Sequence, residues 1–283
     1  MGAIFMKNVD KIGIIYNPYS KKAFKAAINL VRDAKRLGIS CVVDSEYWQA
    51  EFMAEKASLK TANIDVVVSI GGDGTLLRAL HRILPRNIPL MGITVNTLGF
   101  LNEVPLSKAN YALQMLKEGR YWVEKRRLVE GKWRHQTILA LNEIAILSEI
   151  PCKTVLLEVL VDGASVIYGK MDGVLVASAT GSTAYSLSAG GPVVDPELDV
   201  LVITPVSPVN LSLRSLVVPP SRRVLINVLR GKAVMVGDGI KYAKILKSNL
   251  VTIGLSALTA SFVRLENISS YYSKLSERLT FKA

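Results

Sequence analysis

Histidine and cysteine are scarce in this chain, with two of each in 283 residues. With only His81 and His135 to draw on, a histidine-centred metal site or a Ser-His-Asp triad has almost no raw material. Any general base is therefore expected to be a carboxylate. Cys41 and Cys152 stand far apart with no CxxC or Cys/His spacing, which excludes a zinc knuckle or a disulfide framework and leaves both expected as small buried apolar groups. No 18-residue apolar window lacks polar or charged residues, and Met1 to Asp10 has no signal-peptide pattern. The expectation is a cytoplasmic protein without a membrane partner. Several nucleotide signatures are missing too: there is no GxxxxGK[ST] loop, Leu77 stands where a dinucleotide fingerprint needs its third glycine, and the protein-kinase motif set is absent. No aromatic-basic or helix-turn-helix pattern points to nucleic acid.

Half of the residues are hydrophobic and a fifth charged, the composition of an ordinary globular protein long enough for two domains. The formal charge of +12 favours anionic partners. Because the cations are dispersed, at Lys21, Lys22 and Lys25, at Lys125-Arg126-Arg127, at Arg222-Arg223 and at Lys241, Lys244 and Lys247, they suit a polyanionic small molecule.

The first hundred residues alternate short apolar runs with helical patterns. Strands are expected at Lys11 to Tyr16, Ile39 to Val43, Ile64 to Ile70 and Pro89 to Thr94, and helices at Ser20 to Leu37, Glu46 to Leu59 and Thr75 to about Leu84. This order implies a parallel sheet with ligands beyond the carboxyl ends of its strands. After a further helix, Ser107 to Lys117, strand signals dominate: Tyr121 to Val129, Lys132 to Leu147, Lys153 to Val161, Ala164 to Tyr168, Val200 to Thr204, Val224 to Leu229, Ala233 to Val236, Lys241 to Leu246 and Thr259 to Leu265. Asp162-Gly163 and Asp238-Gly239 read as hairpin turns. The expected fold is an α/β N-terminal domain with a parallel Rossmann-like sheet, residues 1–104, followed by a mainly antiparallel β-sandwich, residues 105–265. A helical tail, Ser269 to Leu279, is expected to return to the first domain, which the segment 266–283 would complete.

Three segments concentrate chemistry. The first is Gly71-Gly72-Asp73-Gly74-Thr75, directly after the apolar run Asp65 to Ile70. Its glycines allow positive φ and close approach of backbone N–H groups to phosphate oxygens, so Asp73 inside the turn suggests acceptance of a hydroxyl proton or a hold on a metal ion. The structural alternative makes Asp73 a helix cap. The second is Asn142-Glu143 within the apolar run Ile138 to Leu147, where adjacent polar residues point to opposite strand faces and at least one needs a partner. A ligand with hydroxyls supplies one; a bulge or domain seam is the alternative. The third runs from Asp172 to Pro192, an apolar strand leading into a hydroxyl-rich helix start. Thr180 or Ser182 would cap that helix, with Thr180, Thr183 and Ala184 on one face and Tyr185 with Ser188 on another, leaving room for a flat base beside an anion-binding helix start.

In order and spacing, the glycine turn, the Asn142-Glu143 pair and the run Thr180 to Pro192 closely resemble the NAD kinase family. Asn96-Thr97-Leu98-Gly99-Phe100-Leu101 is similar to that family's loop after the fourth strand, and Ile203-Thr204-Pro205 with Leu213 to Pro219 to a later β segment. Asn210 and Ser215 stand where relatives commonly carry histidine and proline, and Asn96-Thr97 where many carry Gly-His or Gly-Arg. The resemblance implies transfer of a phosphoryl group from ATP or polyphosphate to the adenosine-ribose 2′-hydroxyl of NAD, giving NADP. By similarity Asp73 would be the proton acceptor, and the turn with Gly72, Gly74 and Thr75 would hold phosphates. Asn142 and Glu143 would hold ribose hydroxyls, and Phe100, Thr180, Thr183, Ala184 and Tyr185 would surround the adenine. Asp172 and Ser188 would address the nicotinamide ribose. A divalent metal, Mg2+, on the donor, Arg214 as an added cation, and a homo-oligomer, dimer or homotetramer, are further implications. A lipid or other small-molecule kinase sharing the glycine motif is the alternative.

Overall fold

The computed structural model describes residues 6–95, 99–245, 250–265, 271–272 and 275–276. They fall into two units, one within residues 1–125 and 260–283 and the other within 126–259.

The first unit contains β1 (Lys11–Tyr16), α1 (Lys21–Arg36), β2 (Ser40–Asp44), β3 (Glu55–Ala57), β4 (Val66–Gly71), α2 (Asp73–Ile83), β5 (Leu90–Thr94), β6 (Val104–Pro105) and α3 (Ala109–Lys117). Its strands pair in parallel in the order β5-β4-β1-β2-β3, with β6 beside the end of β5. β4 and β5 are buried along their whole length, which is why they read as unbroken apolar runs rather than alternating ones. α1 shows the matching helical period: Ala23, Ala27, Leu30, Val31 and Ala34 form its buried face. The Ser20 hydroxyl accepts from the Ala23 N–H at 3.2 Å to start α1, and Gly38 at φ 71 ends it.

Two expectations change here. The helix expected over Glu46 to Leu59 does not form; turns lead into β3 instead. Long-range anchors override the helical period. The buried Asp44 carboxylate accepts from the N–H groups of Glu46 (3.1 Å) and Leu59 (2.9 Å) and from Arg82 Nε (2.9 Å), while the Phe52 ring packs 5.6 Å from those of Tyr16 and Phe24. The unit boundary also lies beyond α3, after residue 125, because Ala112, Leu113 and Leu116 of α3 join the core built by α1 and the parallel sheet.

Within the second unit, or crossing into it, run β7 (Trp122–Trp133), β8 (Gln136–Ala140), β9 (Glu143–Ser148), β10 (Val155–Val161), β11 (Ala164–Met171), β12 (Gly173–Ser178), the one-turn α4 (Tyr185–Ser188), β13 (Leu201–Val206), β14 (Leu216–Val218), β15 (Val224–Arg230), β16 (Ala233–Gly237), β17 (Lys241–Ile245) and β18 (Leu250–Arg264). One antiparallel sheet has the order β14-β13-β12-β9-β16-β17, and β11-β10-β15-β18 forms another with the β7-β8 hairpin. Alternate residues of both, among them Ile144, Ile146, Val174, Val176, Leu157, Val159 and Ile226, fill one core. Asp162-Gly163 and Asp238-Gly239 take positive φ in their hairpin turns, as expected. The run Lys132 to Leu147 is not one strand. It breaks at Arg134, φ 53, and again at Leu141-Asn142, between β8 and β9. β18 is far longer than Thr259 to Leu265, and its Phe262 returns to pair with Leu90 of β5 in the first unit.

Cys41 is buried and its thiol is pushed up to about 11 by that burial, but Cys152 is exposed in a turn at φ 61. Most of the expected tail lies outside the described residues. Residues 271–272 and 275–276 are helical, and the Tyr271 ring lies 6.1 Å from that of Phe100. Among the described residues no helix is long and apolar enough to cross a membrane.

Candidate active site

β4 delivers the chain into the glycine turn, and α2 begins at once. Gly72 caps it in extended conformation at φ −103, so Asp73 is the first helical residue, two positions before the expected start. None of the three glycines takes positive φ. Their role is steric instead. A Cβ on Gly71 would sit 2.4 Å from Thr75 Oγ1, whereas one on Gly72 or Gly74 would meet no atom within 4 Å. Gly72 and Gly74 are exposed, which leaves the backbone at the α2 N-terminus open, while Thr75 is buried and Arg78 Nη2 donates to its hydroxyl at 3.3 Å. Open N–H groups at a helix start, with a cation one turn on, suit phosphate oxygens.

Asp73 does not cap its own helix. Its carboxylate is carried by the loop Gly99 to Asn102: Oδ1 accepts from the N–H groups of Leu101 (3.3 Å) and Asn102 (3.0 Å) and from Asn102 Nδ2 (3.0 Å), and Oδ2 from the Phe100 N–H (2.8 Å). A Cβ on Gly99 would lie 1.8 Å from Oδ1, so only glycine lets the loop close on it. The two oxygens differ in consequence. A carboxylate offers about four acceptor positions; Oδ1 has taken three donors, and Oδ2 keeps capacity for a further one. Residues 96–98 of this loop lie outside the described residues.

In the second unit a different carboxylate does the organising. Asp238, at φ 50 in the β16-β17 turn, accepts from the N–H groups of Leu141 (2.8 Å), Asn142 (2.7 Å) and Glu143 (3.3 Å). This is what parts β8 from β9. Asn142 and Glu143 are both buried, and Gly181 packs so closely that a Cβ there would come within 2.0 Å of the Asn142 carbonyl. The Tyr185 backbone N–H donates to the Glu143 carboxyl, while Oε2 meets no hydrogen-bond partner among the described residues. Burial, helped by the Asp238 charge and opposed by that N–H, pushes the Glu143 carboxyl up to about 8. Near neutrality it is therefore mostly a neutral acid, able to donate as well as accept.

The hydroxyl-rich segment sorts by spacing. Ser178, Ser182 and Ser186, four residues apart, are buried and serve as fasteners: Ser178 Oγ donates to the Leu141 carbonyl at 2.6 Å and accepts from the Gly181 N–H at 3.1 Å. Ser182 Oγ bonds the Val194 backbone, and Ser186 Oγ lies 2.9 Å from Thr204 Oγ1. Thr180, Thr183, Ala184, Tyr185 and Ser188 keep partial or full exposure. No side chain caps a helix here, and the expected single helix is a 3₁₀ turn at Thr180–Thr183 followed by α4.

Sequence comparison shows what this arrangement belongs to. Residues 12–121 match the family model of the ATP-NAD kinase N-terminal domain, and residues 141–265 that of the ATP-NAD kinase C-terminal domain. The NAD kinase of Thermococcus kodakarensis is 36% identical over 279 residues, covering 95% of this chain and 99% of that one. The chain belongs to the NAD kinase family.

The NAD kinase of Pyrococcus furiosus is 35% identical over 276 residues, 95% of this chain and 99% of its own. Among solved structures, the NAD kinase of Archaeoglobus fulgidus in complex with ATP superposes with a TM-score of 0.78 at 29% identity, covering 95% of this chain and 98% of that one. Yeast NADH kinase complexed with NADH gives 0.85 at 21% identity over 99% and 91%, a likeness of fold. The protein is thus a kinase of the two-domain NAD kinase fold, and the lipid-kinase alternative, which rested on the glycine turn alone, has no counterpart to the match over 141–265.

Set against this family, the structure gathers Gly72, Asp73, Gly74, Thr75 and Phe100 in the first unit, and Asn142, Glu143, Thr180, Thr183, Ala184 and Tyr185 in the second. Asp172 stands apart. It precedes β12, whose six residues at about 3.3 Å each span about 20 Å before the chain reaches the hydroxyl-rich turn. Ser188 ends α4, whose following Ala189 packs on Ala145, Leu175 and Val206 midway along the same sheet. Arg214 is exposed, and its guanidinium bonds the carbonyls of Leu211 and Leu213 in its own loop. Among the described residues no three His, Cys, Asp or Glu side chains group as metal ligands. Sequence reasoning missed Asn102 and the second role of Asp238. The signals were an asparagine directly after the apolar Phe100-Leu101 and an Asp-Gly turn, both common for other reasons.

Proposed function

We propose that this enzyme takes the adenosine-ribose 2′-hydroxyl of NAD as acceptor and ATP or polyphosphate as donor, with Asp73 as the proton acceptor. The observation that carries this reading is the unequal loading of the Asp73 carboxylate, three donors on Oδ1 and one on Oδ2. With one donor already on it, Oδ2 retains an acceptor position for a hydroxyl hydrogen bond, which supports this reading. As the 2′-oxygen bonds to phosphorus, its proton passes to Oδ2, and the bond from phosphorus to the leaving oxygen breaks with its electron pair on the departing phosphate.

Gly72 and Gly74 at the open start of α2 receive phosphate oxygens, and Thr75, buried behind them with its N–H on the Gly72 carbonyl, contributes through the Arg78 side chain that it orients. Asn142 and the neutral Glu143 carboxyl hold ribose hydroxyls, and Phe100, Thr180, Thr183, Ala184 and Tyr185 surround the adenine. Asp172 and Ser188 address the nicotinamide ribose, at the far end of a nucleotide long enough to need the length of β12. A divalent ion, Mg2+, fits best as a passenger on the donor phosphates, since the turn presents open N–H groups rather than a carboxylate cluster. Bound there it would neutralise charge on the transferred group. Family likeness further supports a cytoplasmic homo-oligomer, dimer or homotetramer, with no membrane or nucleic-acid partner; a monomer by sedimentation at assay concentrations would count against the oligomer.

The test is a matrix of ATP and polyphosphate against NAD and NADH, plus diacylglycerol and sphingosine, with product identification. Formation of the 2′-phosphate from NAD is expected. A lipid phosphate as the sole product would overturn the reading.

A further inference from the structure

The side chain of Asn102 is completely buried. Its amide is nevertheless turned on Asp73. Nδ2 and the backbone N–H of Asn102 both reach Asp73 Oδ1 at 3.0 Å. Room for this amide is made on the neighbouring strand, where a Cβ on Gly92 of β5 would come within 2.0 Å of Asn102 Oδ1. Oδ1 itself meets no hydrogen-bond partner among the described residues, so the half of the amide that is used is the half that donates to Asp73. A buried amide kept with one end unpaired is unfavourable for packing alone.

We propose that Asn102 is a positioning residue for Asp73: by supplying two of the three donors on Oδ1, it fixes the carboxylate rotamer and leaves Oδ2 as the oxygen that takes the acceptor proton. This rests on the reading of Asp73 as proton acceptor. Three donors converging on one oxygen hold the carboxylate in a single orientation. Fixing its plane holds Oδ2 within hydrogen-bond reach of a hydroxyl, where displacement by about an ångström is costly in rate. Besides Asp73, α2 carries Arg78, His81 and Arg82, of which Arg78 bonds Thr75 and Arg82 pairs with Asp44 and Glu46, and Glu103 after the loop lies 3.4 Å from Arg264; none of these groups changes in the variants below.

The experiment compares wild type with Asn102→Ala, Asn102→Ser and Asn102→Asp in two measurements. The first is NAD phosphorylation with ATP from pH 5.5 to 9; the second is 13C NMR titration of the Asp73 carboxyl without substrate. Asn102→Ala is expected to lower kcat about tenfold or more with KM for NAD within about threefold, and to move the acid limb of the kcat profile to higher pH. Asn102→Ser, which can still donate a hydroxyl, recovers part of the loss. Asn102→Asp sets a second carboxyl beside the first and moves the acid limb up by about one pH unit or more. A variant that merely misfolds loses rate at every pH without moving the limb, and that result in all three overturns the proposal, as does an unmoved Asp73 titration. If wild type phosphorylates no NAD, the reaction as proposed fails, yet an Asp73 titration that rises in Asn102→Ala still supports the positioning contact.

Discussion

Glu143→Gln tests the electrostatics of the proposed acceptor site most directly. The Glu143 carboxyl titrates near 4.5 when free and about 8 in the fold, so folding takes up a proton at every pH between those values. For a group whose folded pKa is raised, the folded state binds more protons than the unfolded, and stability falls as pH rises through that window. At about 1.4 kcal/mol per pH unit the loss reaches a ceiling of roughly 5 kcal/mol above pH 8. Glutamine keeps the shape and a donor but has no proton to take up. Relative to wild type the variant should therefore be more stable by about 1 kcal/mol at pH 5, about 3 at pH 7 and about 5 at pH 9. Urea unfolding at the three pH values measures this, and NAD titration provides a parallel check. Wild-type affinity is expected to weaken above pH 8 while that of the variant stays level. A stability difference that does not change from pH 5 to pH 9 would refute the reasoning, because it would mean that Glu143 titrates alike in both states.

Asp73→Asn should lower kcat about 10²-fold or more and also raise KM for NAD, since one amide oxygen cannot serve four N–H donors and the loop bearing Phe100 loosens; steady-state kinetics near wild-type values would remove Asp73 from the chemistry. Asp238→Ala leaves three backbone N–H groups at 141–143 without their acceptor and should cost about 2–4 kcal/mol by urea unfolding, together with NAD affinity. Gly71→Ala drives a Cβ against Thr75 Oγ1 and should destabilise by about 1–3 kcal/mol, whereas Gly72→Ala meets no atom and should leave the melting temperature nearly unchanged while weakening ATP binding. Equal melting losses in the two variants would contradict the steric role given to Gly71.

Much of the first unit was legible because its signals are local. The buried runs at Val66 to Ile70 and Leu90 to Thr94, the alanine-rich face of α1 and the Ser20 and Gly38 boundaries each state their structure within a few residues. Where the reading failed, the deciding partner was remote. Asp44 reaches Arg82, 38 residues on, and the segment it anchors is pulled away from the helix its period suggests. Asp238 reaches back 96 residues to split what looked like one strand at Asn142. The density of hydroxyls marks out the segment from Thr180 to Ser188, but density alone does not separate fasteners from outward groups. That distinction needed Val194 and Thr204 across from Ser182 and Ser186. The placement of Asp73 followed the same rule: its strand and glycines were visible, while its union with Phe100 to Asn102 was not.

That union gives the proton a second effect. A carboxylate holds N–H groups more strongly than the neutral acid does, so in the proposed reaction the moment Asp73 takes the hydroxyl proton is also the moment its grip on the Phe100 N–H weakens. Linkage makes the exchange reciprocal: whatever stabilises the loop discourages protonation, and protonation frees the loop. Turnover would then carry its own release signal, with the backbone of Phe100 to Asn102 slackening once the proton has passed and tightening again when it leaves to solvent.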